Sequence, residues 1–459
     1  MYYYQKNKNG VNMDKKLNLI EATSMAVGVM VGASIFSIFG VGVSMVGPNL
    51  PEVFVLSGIY ALMVAYSYGK LGANIISNAG PIAYIHEGIN NNYITGCLSV
   101  LLWLSYVISI SLFAHGFSGY FIPLFNLPNN FLTTSLVEIG LVGFFTSLNF
   151  FGSKAVGKAE FWIVTIKVLI LGLFVLFGII GLNLNYLVPN LSPSGITGMI
   201  YASSIFFLSY MGFGVITNAS ENIENPKKII PKAIYLSIFI VAIIYVGVSV
   251  AALGNMPLEA LKESGENALA VAAKPFLGNL GFLLLSIGAL FSISSAMNAT
   301  IYGGANVAYS LAKEGELPKF FERKIWFKAP EGLYITSLIG IMFALFFNIE
   351  SIASITSSIF MMIYIFVIIS HYKLANKVGG KKSIILFNLL VISLIFIILM
   401  YHQFITNITS FFGTIALFTI VALFECYYKC KRKFNISKLK EGIENNINHF
   451  NSHHNKIKK

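Results

Sequence analysis

Apolar stretches of about 20 residues, each long enough to span hydrocarbon, recur from one end of the 459-residue chain to the other. They fall at roughly 17–46, 50–70, 93–124, 131–151, 159–182, 196–219, 231–254, 277–311, 332–349, 352–372, 383–401 and 406–428. Twelve helices are therefore predicted, the eighth running on beyond the bilayer. Two of them are interrupted. The first contains Gly28-Val29-Met30-Val31-Gly32-Ala33-Ser34-Ile35-Phe36, and the sixth contains Phe206-Phe207-Leu208-Ser209-Tyr210-Met211-Gly212-Phe213-Gly214. Taken singly, each fits a small-residue packing face, as Gly28 and Gly32 would form. The alternative is a helix that unwinds, which lipid tolerates only where the irregular backbone lines a cavity.

Composition agrees with the pattern. Hydrophobic residues make up 56% of the chain and charged residues 11%, against about 25% charged in soluble domains. The chain reads as an all-α polytopic membrane protein. Its first span is too long for a cleaved signal peptide and lacks a small-x-small site. The net charge of +12 suggests nucleic acid only until its distribution is examined. With an inside N-terminus, 28 of the 31 basic residues fall on the cytoplasmic side and only Lys262 and Lys274 outside, as the positive-inside rule requires. Both termini are thus expected in the cytoplasm of a cell-membrane protein, with no nucleic-acid partner. The expected divisions are a cytoplasmic start (1–16), five helices (17–182), five more (196–375), a final pair (383–428) and a basic, disordered tail (429–459) drawn weakly to anionic lipid. Cys97, Cys426 and Cys430 form no disulfide or zinc pattern and read as structural.

Ionisable side chains inside spans are costly unless they face a cavity or a partner. Lys167 is the clearest. At 1.5 Å per residue from the cytoplasmic end it lies on the order of 12 Å deep, too far to snorkel easily. Burial disfavours its charged form, which brings proton exchange within physiological reach. Glu138 and His115 sit nearer the outer ends of their spans and read as structural. Glu21 suits the N-terminal dipole of the first helix. An intramembrane enzyme is not supported: Asp14 is the only aspartate, and His115 is the only histidine clearly within a span. No cofactor or metal is expected.

The first and sixth helices open two successive sets of five that start on opposite sides. Paired interruptions at corresponding places in two such halves point to a transporter's central site. The first helix runs outward, so amides from Gly32 through Ala33 and Ser34 to Ile35 would meet a carboxylate. The sixth runs inward, leaving carbonyls near Phe207, Leu208, Ser209, Met211 and Gly212 for an ammonium group. Both ends of any α-amino acid are thereby addressed.

These motifs, with Asn78-Ala79-Gly80-Pro81, Glu221…Asn225-Pro226-Lys227-Lys228…Pro231, Ser294-Ser295-Ala296-Met297-Asn298-Ala299 and Tyr309-Ser310-Leu311-Ala312-Lys313-Glu314-Gly315-Glu316-Leu317-Pro318, occur together in this order. The chain resembles the amino acid–polyamine–organocation (APC) transporters, and among them the archaeal proton-coupled members of broad specificity. The resemblance implies a five-plus-five inverted repeat (the LeuT fold) plus two C-terminal helices. It also implies a lysine standing where sodium-coupled relatives hold an ion, touching a carbonyl of the first helix and a serine of the eighth. By motif these are Lys167, Gly28 and Ser292. Some relatives carry an acid after the Gly-Phe of the sixth helix; here Gly214 stands there, so roles tied to that acid do not transfer. Amino-acid symport with protons is the leading expectation. Sodium coupling, exchange and a non-transporting sensor are the alternatives.

Overall fold

Asn18 starts the first membrane helix with a reciprocal cap. Its side chain accepts from the Glu21 N–H, and the Glu21 carboxylate accepts from the Asn18 N–H, both at 3.0 Å, which satisfies two of the otherwise orphaned donors. The computed structural model describes residues 4–6, 12–14, 16–149, 156–313, 317–324 and 330–429. Outside these lie Lys154, the Glu314–Glu316 part of the motif in the 309–318 segment, and the tail beyond Lys429, including its histidines.

Two three-residue strands, β1 (Tyr4–Lys6) and β2 (Asn12–Asp14), pair antiparallel ahead of the helices. The helices then follow in order: α1 (Leu19–Ala33), α2 (Phe39–Val46), α3 (Leu50–Asn74), α4 (Pro81–Ile89), α5 (Asn92–Leu124) and α6 (Phe131–Leu148). Next come α7 (Val156–Ile180), α8 (Pro193–Phe206), α9 (Gly214–Asn218), α10 (Pro226–Asn255), α11 (Leu258–Glu263), α12 (Ala268–Val271) and α13 (Lys274–Lys313). The last four are α14 (Glu331–Phe346), α15 (Ile349–Val378), α16 (Lys382–Thr406) and α17 (Ile408–Lys429). Among the described residues, ten helices are long and apolar enough to cross a membrane, and Leu19–Gly32 and Glu331–Phe346 are shorter apolar helices. The molecule is a polytopic helical membrane protein.

The packing joins elements far apart in the chain. α3 lies along α10, α5 along α13, α6 along α14, and α1 against the segment Phe207–Phe213. Helices α6, α7, α16 and α17 turn most of their surface outward, with Leu136, Leu176, Ile397 and Leu423 all more than half exposed. That is the face a bilayer would cover.

One element was not expected. The stretch after the second span, read as a connection, contains α4. Gly80 at φ +55° turns the chain into it, Pro81 sits at its first turn, and Asn90 ends it in the left-handed region. These are standard start and stop signals. The nine-residue helix they enclose is too short for a hydropathy window to detect.

The loop from Met256 to Ala273 packs down on α2 at Gly40. A methyl group there would run into the Gly265 carbonyl, and backbone cannot yield as a side chain tip can. Gly40→Ala should therefore lower stability by about 1–3 kcal/mol, the usual range for overpacking. Gly140→Ala, whose added methyl meets nothing within 4 Å, should leave it unchanged. Thermal unfolding in detergent tests both; equal midpoints would show that the loop does not seat on α2.

Candidate functional site between two broken helices

Both interruptions are real breaks, and each is locally re-satisfied. α1 ends at Ala33, the chain turns through Ser34–Ile38, and α2 begins at Phe39 with no side-chain cap. The unwound stretch thus starts two residues later than the sequence suggested. Gly32 and Ala33 remain in the last turn of α1, and the Ile38 N–H is taken by the Ser34 carbonyl at 2.9 Å. The second break is a seven-residue 3₁₀ run, Phe207–Phe213. Such a length is uncommon and often marks a functional hinge. Its tighter turns change the expected pattern of free carbonyls: Met211 accepts from the Gly214 N–H.

Hydroxyl groups from neighbouring helices reach carbonyls beside both breaks. Ser57 of α3 donates to Ser203 at 2.9 Å and Ser357 of α15 to Ser204 at 2.6 Å. Tyr245 of α10 lies 2.6 Å from the Met30 carbonyl and 3.1 Å from the Ser209 carbonyl. One phenol therefore ties the end of α1 to the middle of the second break.

A cavity of about 120 Å³ lies between the breaks. Ser34, Leu208, Ser209, Met211 and Gly212 line it, five of the nine residues expected to meet substrate. Gly32, Ile35 and Phe207 lie outside its wall, and Ala33 closes α1. Helices α5 and α13 add Ser105, Ser109 and Thr300, and the rings of Tyr68, Tyr106 and Tyr364 complete the wall. No aspartate, glutamate, lysine, arginine or histidine is among the lining residues. The cavity extends toward Pro81 and Asn218. At its other end Phe36, Phe39, Phe54 and Phe206 are all 0% exposed, with Phe54 and Phe206 edge to face at 5.3 Å.

Beside this cavity Lys167, 3% exposed, donates from Nζ to the Gly28 carbonyl at 2.5 Å. Gly32 makes room for it: a Cβ at that position would lie 2.7 Å from Nζ and 3.5 Å from the Ser292 carbonyl. α1, α7 and α13 thus converge on one residue. The Ser292 hydroxyl is buried without a hydrogen bond, so the expected contact from Lys167 to that hydroxyl is not made. The Lys167 bond to Gly28 and the close packing at Gly32 account for α1 staying helical through Ala33.

A family model described as amino acid permease matches residues 17–424. The chain belongs to the amino acid permease family. An uncharacterized protein of Methanocaldococcus jannaschii is 66% identical over 92% of this chain and 98% of its own length. The inner membrane transport protein YbaT of Escherichia coli is 29% identical over 91% of this chain and 98% of its own. The branched-chain amino acid permease BcaP of Bacillus subtilis is 23% identical over 67% and 69%.

Two features of this permease were missed in its sequence. Tyr245 is one, although a hydroxyl midway along the apolar run of the seventh span must find an acceptor, and that need was a readable signal. The other corrects the reading of the histidines. His371 is also buried within a helix, with Nδ1 3.0 Å from the Ser67 hydroxyl and Nε2 3.0 Å from the Gly379 carbonyl. His402, on α16, stacks on Tyr201 with centroids 3.4 Å apart. Glu138 is buried as well, in contact with His115.

Tyr245→Phe keeps the ring between Phe54 and Tyr210 but removes the one O–H that the Met30 and Ser209 carbonyls share. It should destabilise the permease by about 1–3 kcal/mol without changing its helix content. A thermal midpoint equal to that of the unaltered protein would show that the phenol bonds do not hold the breaks together.

Proposed function

We propose that this permease carries neutral amino acids across the cell membrane together with protons, by alternating access, and that Lys167 holds the coupled proton. The observation that carries the reading is the buried Nζ–Gly28 contact beside a cavity framed by two broken helices. A broken helix presents amides at one side of the gap and carbonyls at the other, the pair of partners that an amino acid's carboxylate and ammonium need. The start of α2 has no side-chain cap, which leaves its first amides open to an anion. Gly32, Ala33, Ser34 and Ile35 with Phe207, Leu208, Ser209, Met211 and Gly212 form the two sides of that gap, Ser34 and the 208–212 stretch most directly. A wall without acid or base favours side chains that are uncharged, since a lone buried charge would have no partner.

The packing supports the arrangement of five plus five helices with inverted topology. Counting α1–α2 as the first span and α8–α9 as the sixth, span one packs on six, two on seven, three on eight and four on nine. A repeat related by a pseudo-two-fold axis brings such pairs together. The cytoplasmic placement of both ends follows from the distribution of lysine and arginine.

In this mechanism the protonated amine bonds to the Gly28 carbonyl and pins α1 to α7, with Gly32 pressed against α13 at Ser292. Loss of the proton turns a charge-assisted bond into a weak one and frees α1 to tilt. Proton occupancy and the position of the first broken helix are then one equilibrium.

The test is uptake of a labelled neutral amino acid into proteoliposomes under an imposed pH or sodium gradient. Accumulation should follow the pH gradient, and Lys167→Ala should abolish it. Gly32→Ala should lower it tenfold or more, because the added methyl displaces Nζ from a bond worth about 1.5–3 kcal/mol. Uptake that followed sodium and ignored pH would refute proton coupling. Full accumulation by Lys167→Ala would remove the role of the lysine.

A further inference from the structure

A second set of ionisable groups, Glu138 buried and His115 and Glu266 half-buried, lies away from Lys167, where the loop between α10 and α13 meets α5 and α6. His115 Nδ1 lies 2.7 Å from Glu138 Oε1, and the Ser118 hydroxyl donates to the same oxygen at 3.2 Å. His115 Nε2 lies 2.9 Å from the Phe347 carbonyl. A carbonyl only accepts, so Nε2 carries a hydrogen, and one further proton is shared between Nδ1 and the carboxyl group. Whichever atom holds that proton, the pair has no net charge.

Glu266 is then a third ionisable group with no counter-charge of its own. Its carboxyl lies against Gly119, one helical turn along α5 from His115. It interacts electrostatically with His115, Glu138 and the buried Tyr120, and the Tyr120 hydroxyl has no hydrogen-bond partner. Among the described residues no other charge approaches. α2 and α12 contain no ionisable residue. Lys262 is paired with Glu259, and Lys274 lies over the Phe282 ring. Glu263 is exposed, and Glu350 faces Tyr201. Burial raises the carboxyl of Glu266 from 4.5 to about 7.

We propose that Glu266, seated on the His115–Glu138 pair, is a second proton-binding site, and that docking of the loop at 256–273 takes up one proton there. As a carboxylate, Glu266 would be a half-buried charge without a cationic partner when docked, so the docked loop favours its neutral form. When the loop lifts, Glu266 meets water and ionises. A group raised in the docked state stabilises docking fully below its free value and loses that contribution as pH rises through its docked value. Docking therefore weakens about tenfold per pH unit between 4.5 and about 7 and levels off above. Only the compartment that supplies the proton rests on the proposed orientation, which makes it the outer one.

Hydrogen–deuterium exchange of the 256–273 segment in the purified full-length permease tests this without any transport, so a failure of the transport reading leaves the test intact. The ratio of exchange in the unaltered protein to that in Glu266→Gln cancels the intrinsic pH dependence of exchange. It should rise about tenfold per unit from pH 5 to 7 and be flat above. Glu138→Gln breaks the neutral pair and leaves His115 able to hold an uncompensated positive charge beside Glu266, which should move the end of the rise to lower pH, a shift that a purely structural contact would not produce. A ratio that stayed constant with pH, or a rise unmoved by Glu138→Gln, would overturn the proposal.

Discussion

A peptide group that leaves its helix inside hydrocarbon has no water to replace its partner, and the centre of this permease is built around that constraint. Two helices break against each other, and carbonyls beside the breaks are met by hydroxyls on three other helices: Ser57, Ser357 and Tyr245. A hydroxyl is suited to this task. It supplies one donor on a short or rigid stem, and it adds no charge to a region that could not solvate one. The breaks are held open by these bonds, and the space between them is the cavity.

The same constraint explains which features could be read from the sequence. Membrane spans show because about 20 apolar residues are needed whatever they pack against. Lys167 shows because a lysine in such a run is conspicuous before its partner is known. The exact limits of the first break do not show. Gly32 and Ala33 can be helical or unwound, and the choice is made by Lys167 and α13 pressing on that turn, contacts supplied by residues over a hundred positions away. Ser292 illustrates the same limit: motif placed it near Lys167, and packing decided that its hydroxyl makes no bond. The Met211 carbonyl was expected to be free, but the chain tightened into a 3₁₀ run and used it. α4 was invisible because nine residues give too little hydropathy signal, even with Gly80, Pro81 and Asn90 marking its ends.

Glu266 shows a different blind spot. It lies in a connecting loop, where acids are ordinarily solvated and carry no message. Its partial burial arises because Gly40 and Gly119 leave room for the loop to descend onto α2 and α5. The glycines were as visible as any residue, but their partners are 225 and 147 positions further along, at Gly265 and Glu266. Sequence reading weighed His115 and Glu138 as two structural groups at span ends. Their hydrogen bonds make them one neutral pair, and that neutrality is what leaves Glu266 without a counter-charge.

A lysine differs from a free ion at such a junction in one decisive respect. A sodium ion bound between carbonyl and hydroxyl oxygens can leave with the substrate, so its coupling depends on release into the aqueous phase. Nζ of Lys167 is tethered to α7, and only its proton can depart. Under the proposed coupling, the junction at Gly28 and Gly32 therefore keeps its atoms through a transport cycle and changes only in charge. Loss of that charge weakens a contact that in a low-dielectric setting is stronger than in water. In the proposed mechanism one proton then shifts a helix whose other side-chain bonds at the break are to neutral hydroxyls. Those hydroxyls can change partners without leaving a charge stranded. The contact from Lys167 to Gly28 is for that reason the one on which, in the proposed mechanism, proton occupancy acts.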